Sequence, residues 1–233
     1  MKRWLVALVA LLLVLNWVGP ALNFALSYQR PQFERTVEIR APAVARTEEG
    51  FEGVVTTIRL RVTLGSGKVY VSTTPLTEID MQASARMAVF VASNVLGIDV
   101  SKLDFYFSVD SPSPVVGGPS AGGEMTVATI AALTGWEINE SVMMTGMINP
   151  DGTVGPVGGI PEKMKAARDV GVKLFLIPKG QRFFLTYELV QRRIGPIVIR
   201  EVVPKEVDLL KLGEEIGLKV VEVGQIEEAV RYF

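Results

Sequence analysis

Apolar and polar side chains alternate with a period of two between residues 54 and 64, which predicts a β-strand with one buried face. The apolar set is Ile58, Leu60, Val62 and Leu64, and the polar set is Thr57, Arg59, Arg61 and Thr63. Residues 77–96 show helical spacing instead, and the predicted apolar face carries Ile79, Ala83, Met87 and either Phe90 or Val91.

Further along the chain, the same patterns predict a mixture of strands and helices. The strands are predicted at residues 103–109, 142–148, 153–157, 173–177 and 219–223, and the helices at residues 118–133, 161–170, 183–193, 204–216 and 225–232. Elements of both kinds alternate along the sequence, which indicates a domain of the α/β class.

The first residues form a long apolar stretch behind a basic start, Lys2-Arg3. As a helix, residues 4–26 would be about 34 Å long, enough to cross a hydrocarbon core of about 30 Å. An uncleaved membrane anchor fits this length best. A cleaved signal peptide is the first alternative, although Asn23-Phe24-Ala25 is a poor cleavage site, and a packed helix of a soluble protein is the second.

These patterns divide the chain into three parts. Residues 1–28 are the predicted transmembrane anchor or signal segment, residues 29–52 a linker or edge strand, and residues 53–233 the main domain. The short leading tail favours a main domain on the extracytoplasmic side of the membrane, or a secreted domain if the segment is cleaved.

The composition contains no histidine and no cysteine. This excludes a Ser-His-Asp triad, a thiol nucleophile, a disulfide and a zinc site with His or Cys ligands. Hydrolytic chemistry would have to use Ser, Thr, Lys, Asp, Glu or Tyr, or a metal held by oxygen atoms. The net charge of −1 gives no reason to expect a nucleic-acid partner, and no cofactor or metal is predicted.

Gly65-Ser66-Gly67-Lys68 has some likeness to a P-loop but lacks two of its residues. Val62 stands where a P-loop has its first glycine, and Val69 replaces the hydroxyl residue that holds magnesium. We therefore predict a hairpin turn between two strands, and no ATPase motif in this sequence.

Ser120 lies where a glycine-rich loop, residues 117–123, turns into a predicted helix. The first N–H groups of a helix have no partner within it, so they can stabilise an oxyanion beside a serine nucleophile. The four glycines of this loop would allow a substrate backbone to approach closely. From the residues alone, a simple N-cap role for Ser120 is the alternative.

A serine nucleophile needs a base, and without histidine the candidates are a carboxylate or a lysine kept neutral by burial. If Pro161 lies in the first helical turn, Lys163 is on the apolar face and is predicted to be buried. The residues sharing its face are Ala166, Ala167 and Val170, and those on the opposite, polar face are Lys165 and Arg168. A stem that runs along the apolar face to solvent is the alternative for Lys163.

Three blocks of sequence together resemble the proteolytic domain of Lon proteases. They are Gly118-Pro119-Ser120-Ala121-Gly122, Met144-Thr145-Gly146, and residues 152–163 (GTVGPVGGIPEK) followed by Ala166-Ala167 and Gly171. The resemblance covers residues 53–233 and implies a Lon-type α/β domain with a mixed sheet. It implies a serine endopeptidase with a Ser-Lys dyad, in which Ser120 forms an acyl-enzyme and Lys163 is the general base.

The resemblance also implies supporting roles and partners. Thr145 would orient the lysine, and Gly118 and Ala121 would belong to the loop and oxyanion region. Unfolded proteins or peptides would be the substrates, and the domain would form a homo-oligomer, a hexamer by family analogy. Because no ATPase module accompanies the match, the hydrolysis is expected to be independent of ATP.

Two positions depart from the family pattern. Gly117 and Met147 stand where many members have acidic residues, which makes the site less charged and favours a neutral Lys163. These departures leave open a non-catalytic peptide-binding module of the same fold. A small-molecule phosphotransferase, with phosphates bound by the loop at residues 117–123, is a further alternative.

Overall fold

The computed structural model describes residues 33–47, 50–77, 79–116 and 118–233. Within this part of the chain, no helix combines the length and the apolar character needed to cross a membrane. The predicted anchor or signal segment, residues 1–28, lies outside the described residues, and so does Gly117 of the glycine-rich loop.

The first sheet has four strands in the order β1-β2-β4-β3. Its strands are β1 (Glu34–Thr47), β2 (Gly50–Leu64), β3 (Val69–Thr77) and β4 (Leu103–Val116). The β1–β2 and β2–β4 pairs are antiparallel and the β3–β4 pair is parallel, so the sheet is mixed. The period of two in β2 is confirmed at Ile58, Leu60 and Val62, which are fully buried, whereas Leu64 at the end of the strand is exposed.

The segment predicted as a linker or edge strand, residues 29–52, contains β1. This strand pairs with β2 from Glu34 opposite Thr63 to Thr47 opposite Gly50, and it lies at the edge of the sheet. Its inward side chains are short, as at Ala41 and Ala45, which is why the apolar pattern is faint. The described part of the segment is therefore an edge strand and not a linker, and the compact unit begins at Glu34.

The turn at residues 65–68 joins β2 to β3, but the predicted hairpin is wrong because β4 lies between these two strands. Asp104, near the start of β4, accepts hydrogen bonds from the backbone N–H groups of Ser66 at 2.7 Å and Lys68 at 2.9 Å. The Phe105 N–H donates to the Lys68 carbonyl at 2.8 Å. These bonds attach the turn to β4 and give the glycine-rich tetrapeptide a structural role.

Five helices are described: α1 (Ile79–Leu96), α2 (Gly122–Thr134), α3 (Ile160–Asp169), α4 (Leu209–Ile216) and α5 (Ile226–Val230). The apolar face predicted for α1 is only partly right, because Ala83 and Phe90 are exposed whereas Val91, the stated alternative to Phe90, is buried. The buried face carries Met81, Ala85 and Ala88 instead. Small side chains allow α1 to pack closely against α2, and small side chains contribute little to a hydrophobic pattern.

The second sheet has three parallel strands in the order β11-β8-β5. They are β5 (Val142–Met144), β8 (Leu174–Pro178) and β11 (Lys219–Val223), and two short antiparallel strands, β6 (Met147–Ile148) and β7 (Val154–Gly155), follow β5. Met143, Ile160, Met164 and Phe175 are fully buried together in the core beside this sheet. Strands and helices alternate, so the predicted mixed α/β fold is confirmed.

The helix predicted at residues 183–193 is wrong, and the one predicted at residues 204–216 begins only at Leu209. The antiparallel strands β9 (Phe183–Ile194) and β10 (Ile197–Asp208) occupy the first segment and the first five residues of the second, and α4 occupies the rest. The segment is rich in Val, Ile, Phe and Tyr, which favour strands. Both faces carry apolar residues, so the alternation that normally reveals a strand is blurred.

Candidate active site

Ser120 lies in a short 3-10 turn, Pro119–Ala121, that leads directly into α2. The N-cap position of α2 belongs to Ala121, and no side chain caps this helix. The N-cap alternative for Ser120 is therefore wrong. Among the hydrogen bonds between described residues, none uses the Ser120 hydroxyl, which leaves this group available on the wall of a pocket.

The turn carrying Ser120 is attached to the segment between β5 and β6. The Gly146 N–H donates to the Ser120 carbonyl at 3.1 Å, and the Gly123 N–H donates to the Gly146 carbonyl at 3.0 Å. A Cβ added at Gly123 would lie 2.5 Å from the Met144 side chain. Gly123 therefore allows α2 to approach Met144 of β5 closely. The sequence instead suggested that this glycine lets a substrate backbone approach the loop.

Lys163 lies in the first two turns of α3, and its side chain is only 3% exposed. Ala166 and Ala167 share its buried face, while Lys165 is exposed, so the helical-face prediction is confirmed for these residues. It is wrong only for Val170, which follows the helix and is 42% exposed. The alternative, in which the aliphatic part of the Lys163 side chain runs along the apolar face and the amine reaches solvent, is therefore wrong.

The Lys163 amine donates a hydrogen bond to Thr145 Oγ1 at 3.2 Å. Burial lowers the pKa of this amine to about 8, and the nearby charge of Glu162 opposes the change by raising it. Thr145 is itself fully buried, and its N–H donates to the Leu176 carbonyl of β8 at 3.0 Å. The hydroxyl that contacts the lysine is thus fixed by the second sheet.

Ser120 and Lys163 line the same pocket, which has a volume of about 560 Å³. The hydrogen bonds among described residues do not include a direct one between the Ser120 hydroxyl and the Lys163 amine. Gly118 also lines the pocket, whereas Ala121 does not contribute to its wall. The remaining wall comes from Pro119 beside Ser120 and from three other places. These are Val44 and Phe51 of β1 and β2, residues 156–159 before α3 with Glu162 in its first turn, and Phe184 and Thr186 of β9.

Sequence reasoning missed Glu124, a fully buried carboxyl group in the first turn of α2. Its Oε1 accepts a hydrogen bond from the Met144 N–H at 2.6 Å, and its Oε2 has no hydrogen-bond partner among the described residues. Burial raises the pKa of this carboxyl group well above its usual range. The hydrogen bond from the Met144 N–H and the charge of Arg40 lower the pKa, but their effect is smaller than that of burial. Glu124 therefore supports β5 at its last residue, Met144, which directly precedes Thr145. The available signal was that Glu124 is the single charged residue of α2, whose other residues are glycine, apolar or threonine.

Carboxylates elsewhere do not form a metal-binding group. Among the described residues, no three Asp or Glu side chains lie close enough together to hold a metal ion. The polar side chains that line the pocket include the Ser120 hydroxyl, the Lys163 amine of lowered pKa and the Glu162 carboxyl group.

A family model described as the Lon protease (S16) C-terminal proteolytic domain matches residues 28–187, more than half of the chain. The mixed α/β fold and the position of the three sequence blocks around one pocket agree with this match. The chain belongs to the Lon proteolytic-domain family. The match ends within β9, so most of the β9–β10 hairpin lies beyond it.

Several Lon proteases are similar to this chain. Lon protease 1 of Myxococcus xanthus is 36% identical over 76% of this chain and 22% of its own length. The Lon protease of Vibrio parahaemolyticus is 38% identical over 58% of this chain and 18% of its own length. The archaeal Lon protease of Archaeoglobus fulgidus is 36% identical over 42% of this chain and 17% of its own length. The chain thus spans about a fifth of the length of these relatives.

Proposed function

We propose that this chain is a serine endopeptidase in which Ser120 is the nucleophile and Lys163 is the general base. The observation that carries the proposal is the Lys163 amine, which is buried, has a pKa near 8, contacts Thr145 and lines the pocket that contains Ser120. A lysine of ordinary pKa would be almost fully protonated at neutral pH and could not accept a proton. Membership of the Lon family supports the same activity.

In the proposed mechanism, the neutral Lys163 amine takes the proton of the Ser120 hydroxyl while Oγ attacks the carbonyl carbon of a peptide bond. The ammonium then gives this proton to the leaving amine, and the carbonyl carbon stays bonded to Ser120 as an ester. Water hydrolyses the ester with Lys163 again acting as the base. Thr145 holds the amine in place throughout, because its own position is fixed by β8.

The negative charge on the carbonyl oxygen needs donors, and the proposal assigns them to the backbone of the turn at Gly118 to Ala121. This turn begins a helix, whose first N–H groups lack internal partners and whose dipole favours negative charge. The turn is attached to Gly146 through the Ser120 carbonyl, and the start of α2 is attached to it through the Gly123 N–H, so the N–H groups of the turn are in place before substrate binds.

We propose unfolded proteins or peptides as the substrates. A pocket of about 560 Å³ accepts a short extended segment but not a folded surface, and Val44, Phe51 and Phe184 offer it apolar contacts. The proposal also holds that this chain needs no ATP, since the tetrapeptide with some likeness to a P-loop is a turn fixed by Asp104.

Two features of the proposal rest on the sequence pattern and on family analogy alone. Residues 4–26 would attach the protein to a membrane with its domain on the extracytoplasmic side, and the domains would form homo-oligomers, hexamers by analogy. Extraction of the full chain from membranes by detergent but not by alkaline carbonate would test the attachment. Sedimentation of the detergent-purified protein would give its oligomeric state.

The dyad is tested by measuring the turnover of a fluorogenic peptide by the full chain. Ser120→Ala and Lys163→Met should each lower kcat by about a thousandfold or more, whereas Lys165→Ala, an exposed lysine of the same helix, should not. Methionine keeps most of the volume of lysine and suits the apolar site, so loss of activity would not reflect unfolding. Turnover at the wild-type level in either dyad variant would contradict the assignment.

Three further measurements on the full chain distinguish a peptidase from a non-catalytic peptide-binding module and from a phosphotransferase. A serine-reactive phosphonate should label Ser120, as seen by mass spectrometry, and Lys163→Met should suppress this labelling. Peptide binding without labelling or turnover would identify a non-catalytic peptide-binding module. Heat on titration with a nucleotide would favour a phosphotransferase.

A further inference from the structure

The β9–β10 hairpin ends in an exposed apolar tip, residues 194–199. A two-residue loop, Gly195-Pro196, joins the strands, and Gly195 has a φ of 62°, as the first position of a type II′ turn requires. Ile194 lies opposite Ile197, and these side chains are 63% and 61% exposed. Val198 and Ile199 follow and are also exposed. Four large aliphatic side chains at the end of a hairpin form an unusual surface for a protein in water.

Three arginines lie directly behind this tip and form a basic collar, Arg192, Arg193 and Arg200. The pairing places Arg193 and Arg200 on one face of the hairpin and Arg192 on the other. All three are exposed, and none takes part in an ion pair or side-chain hydrogen bond with any other described residue. No acidic residue occurs between Glu188 and Glu201.

The net positive charge of the collar contrasts with the net charge of the rest of the sequence. The whole sequence has 24 basic and 25 acidic residues, so setting the three arginines aside leaves 21 basic against 25 acidic. The rest of the protein is therefore mildly acidic and would be repelled by a negative surface, whereas the hairpin end would be attracted to one.

The geometry of the tip matches the interfacial layer of a lipid bilayer. The chain extends about two residues beyond Arg193, or roughly 7 Å, and interfacial segments enter the headgroup boundary to a depth of about 5–10 Å. Aliphatic side chains would reach the acyl region while guanidinium groups donate to lipid phosphates, which arginine binds in bidentate fashion. At this depth, water and headgroups satisfy the free backbone groups of the turn.

A second copy of the chain fits this surface less well. In a symmetric contact between two tips, the collars would meet and the arginines would repel one another, because such a contact presents the same patch on both subunits. We propose that the hairpin tip docks on an anionic lipid bilayer, with residues 194–199 in the interfacial layer and the three arginines at the lipid phosphates.

Docking would also set the height of the pocket above the bilayer. Thr186 lines the pocket and Ile194 lies eight residues further along the same strand, a distance of roughly 27 Å. The docked hairpin would therefore hold the pocket about one hairpin length above the lipid surface. Docking does not depend on Ser120 or Lys163, so it is independent of the proposed peptidase activity.

The chain contains no cysteine, so a single introduced cysteine gives a unique label. The full chain carrying Ile197→Cys is labelled with an environment-sensitive nitrobenzoxadiazole dye and mixed with vesicles of phosphatidylcholine, with or without phosphatidylglycerol. Gln82→Cys, at an exposed position of α1, is the matched control. We expect a blue shift and quenching by doxyl-labelled lipid only for the dye at position 197, and only when phosphatidylglycerol is present.

A second arm removes the collar by combining Arg192→Gln, Arg193→Gln and Arg200→Gln. At about fivefold per basic residue, these changes should weaken insertion of the dye on the order of a hundredfold. Circular dichroism and peptide turnover verify that each labelled protein is folded. A dye that stays in water with both vesicle types, or enters both equally, would overturn the proposal. A blue shift without lipid that grows with protein concentration would also overturn it, since it would identify a second copy as the occupant.

Discussion

Two regions border the same pocket and are built in opposite ways. Around the proposed base Lys163 and its contact Thr145, the side chains are buried, at 3% and 0% exposure, and the Lys163 amine is hydrogen-bonded to the Thr145 hydroxyl. On β9, only Phe184 and Thr186 turn toward the pocket, while Tyr187, further along the strand, is 67% exposed.

The difference follows from what each region contributes. Lowering the pKa of an amine requires removing it from water, so Lys163 needs a rigid apolar surrounding before substrate arrives. An exposed hairpin cannot change a pKa in this way, but it can offer apolar surface to whatever approaches. We expect changes near Lys163 to alter kcat and stability, and changes in the hairpin to alter substrate binding and association.

The largest expected effect concerns pH. As the proposed general base, Lys163 would act only when neutral, and with a pKa of about 8 its neutral fraction rises from about 1% at pH 6 to about half at pH 8. The kcat/KM of the full chain should therefore increase by nearly two orders of magnitude over this range and level off above it. Lys165→Ala should keep the same profile. A decrease between pH 6 and pH 8 would show that Lys163 is not the base.

The next effect tests the buried support behind Thr145. Glu124→Ala removes the acceptor of the Met144 N–H and leaves that group unpaired in the core. A loss of about 1–3 kcal/mol in the free energy of unfolding is expected, measured by urea denaturation. An unchanged free energy would mean that the strand needs no partner at this position.

Glu124→Gln serves as the matched variant, since its amide oxygen can still accept from Met144. The pKa of Glu124 is raised in the folded protein, so below the ordinary value of 4.5 both states are protonated. As pH rises above 4.5, the unfolded state releases its proton first and the wild type loses stability. The glutamine variant lacks this loss, so the difference between its free energy of unfolding and that of the wild type should grow as pH rises above 4.5. A gap that does not change with pH would contradict the raised pKa.

The two regions also differ in how well the sequence predicted them. Lys163 was predictable because Ala166 and Ala167 recur on its face at helical spacing, and that face is buried. The β9–β10 hairpin could not be predicted in this way, because its strands carry apolar residues on both faces and neither face lies wholly in the core. Gly195-Pro196 was also not identified from the sequence as the turn that joins the two strands. Glu124 was missed because its role as an acceptor depends on the N–H of Met144, a strand residue that lies twenty positions further along the chain.

A smaller effect is expected where the hairpin meets the pocket. Phe184→Ala should raise the KM for an apolar peptide by about tenfold with little change in kcat, because it removes a contact made equally in the ground and transition states. Leu185→Ala is the control, since Leu185 is the next residue on β9 and points to the opposite face. Equal effects of both variants would show that the hairpin acts through its stability and not through the pocket.

The smallest effect concerns the outward face of the hairpin. Leu189 lies opposite Val202, and both are about 60–65% exposed. Replacing both with threonine keeps the preference for a strand and should change the free energy of unfolding by no more than about 0.5 kcal/mol. Met143→Ala, a fully buried change, should cost about 2–5 kcal/mol. Urea denaturation at two protein concentrations measures both. If the threonine pair cost as much as Met143→Ala, and more at the higher concentration, this face would be covered by a second copy and the contrast between the two regions would fail.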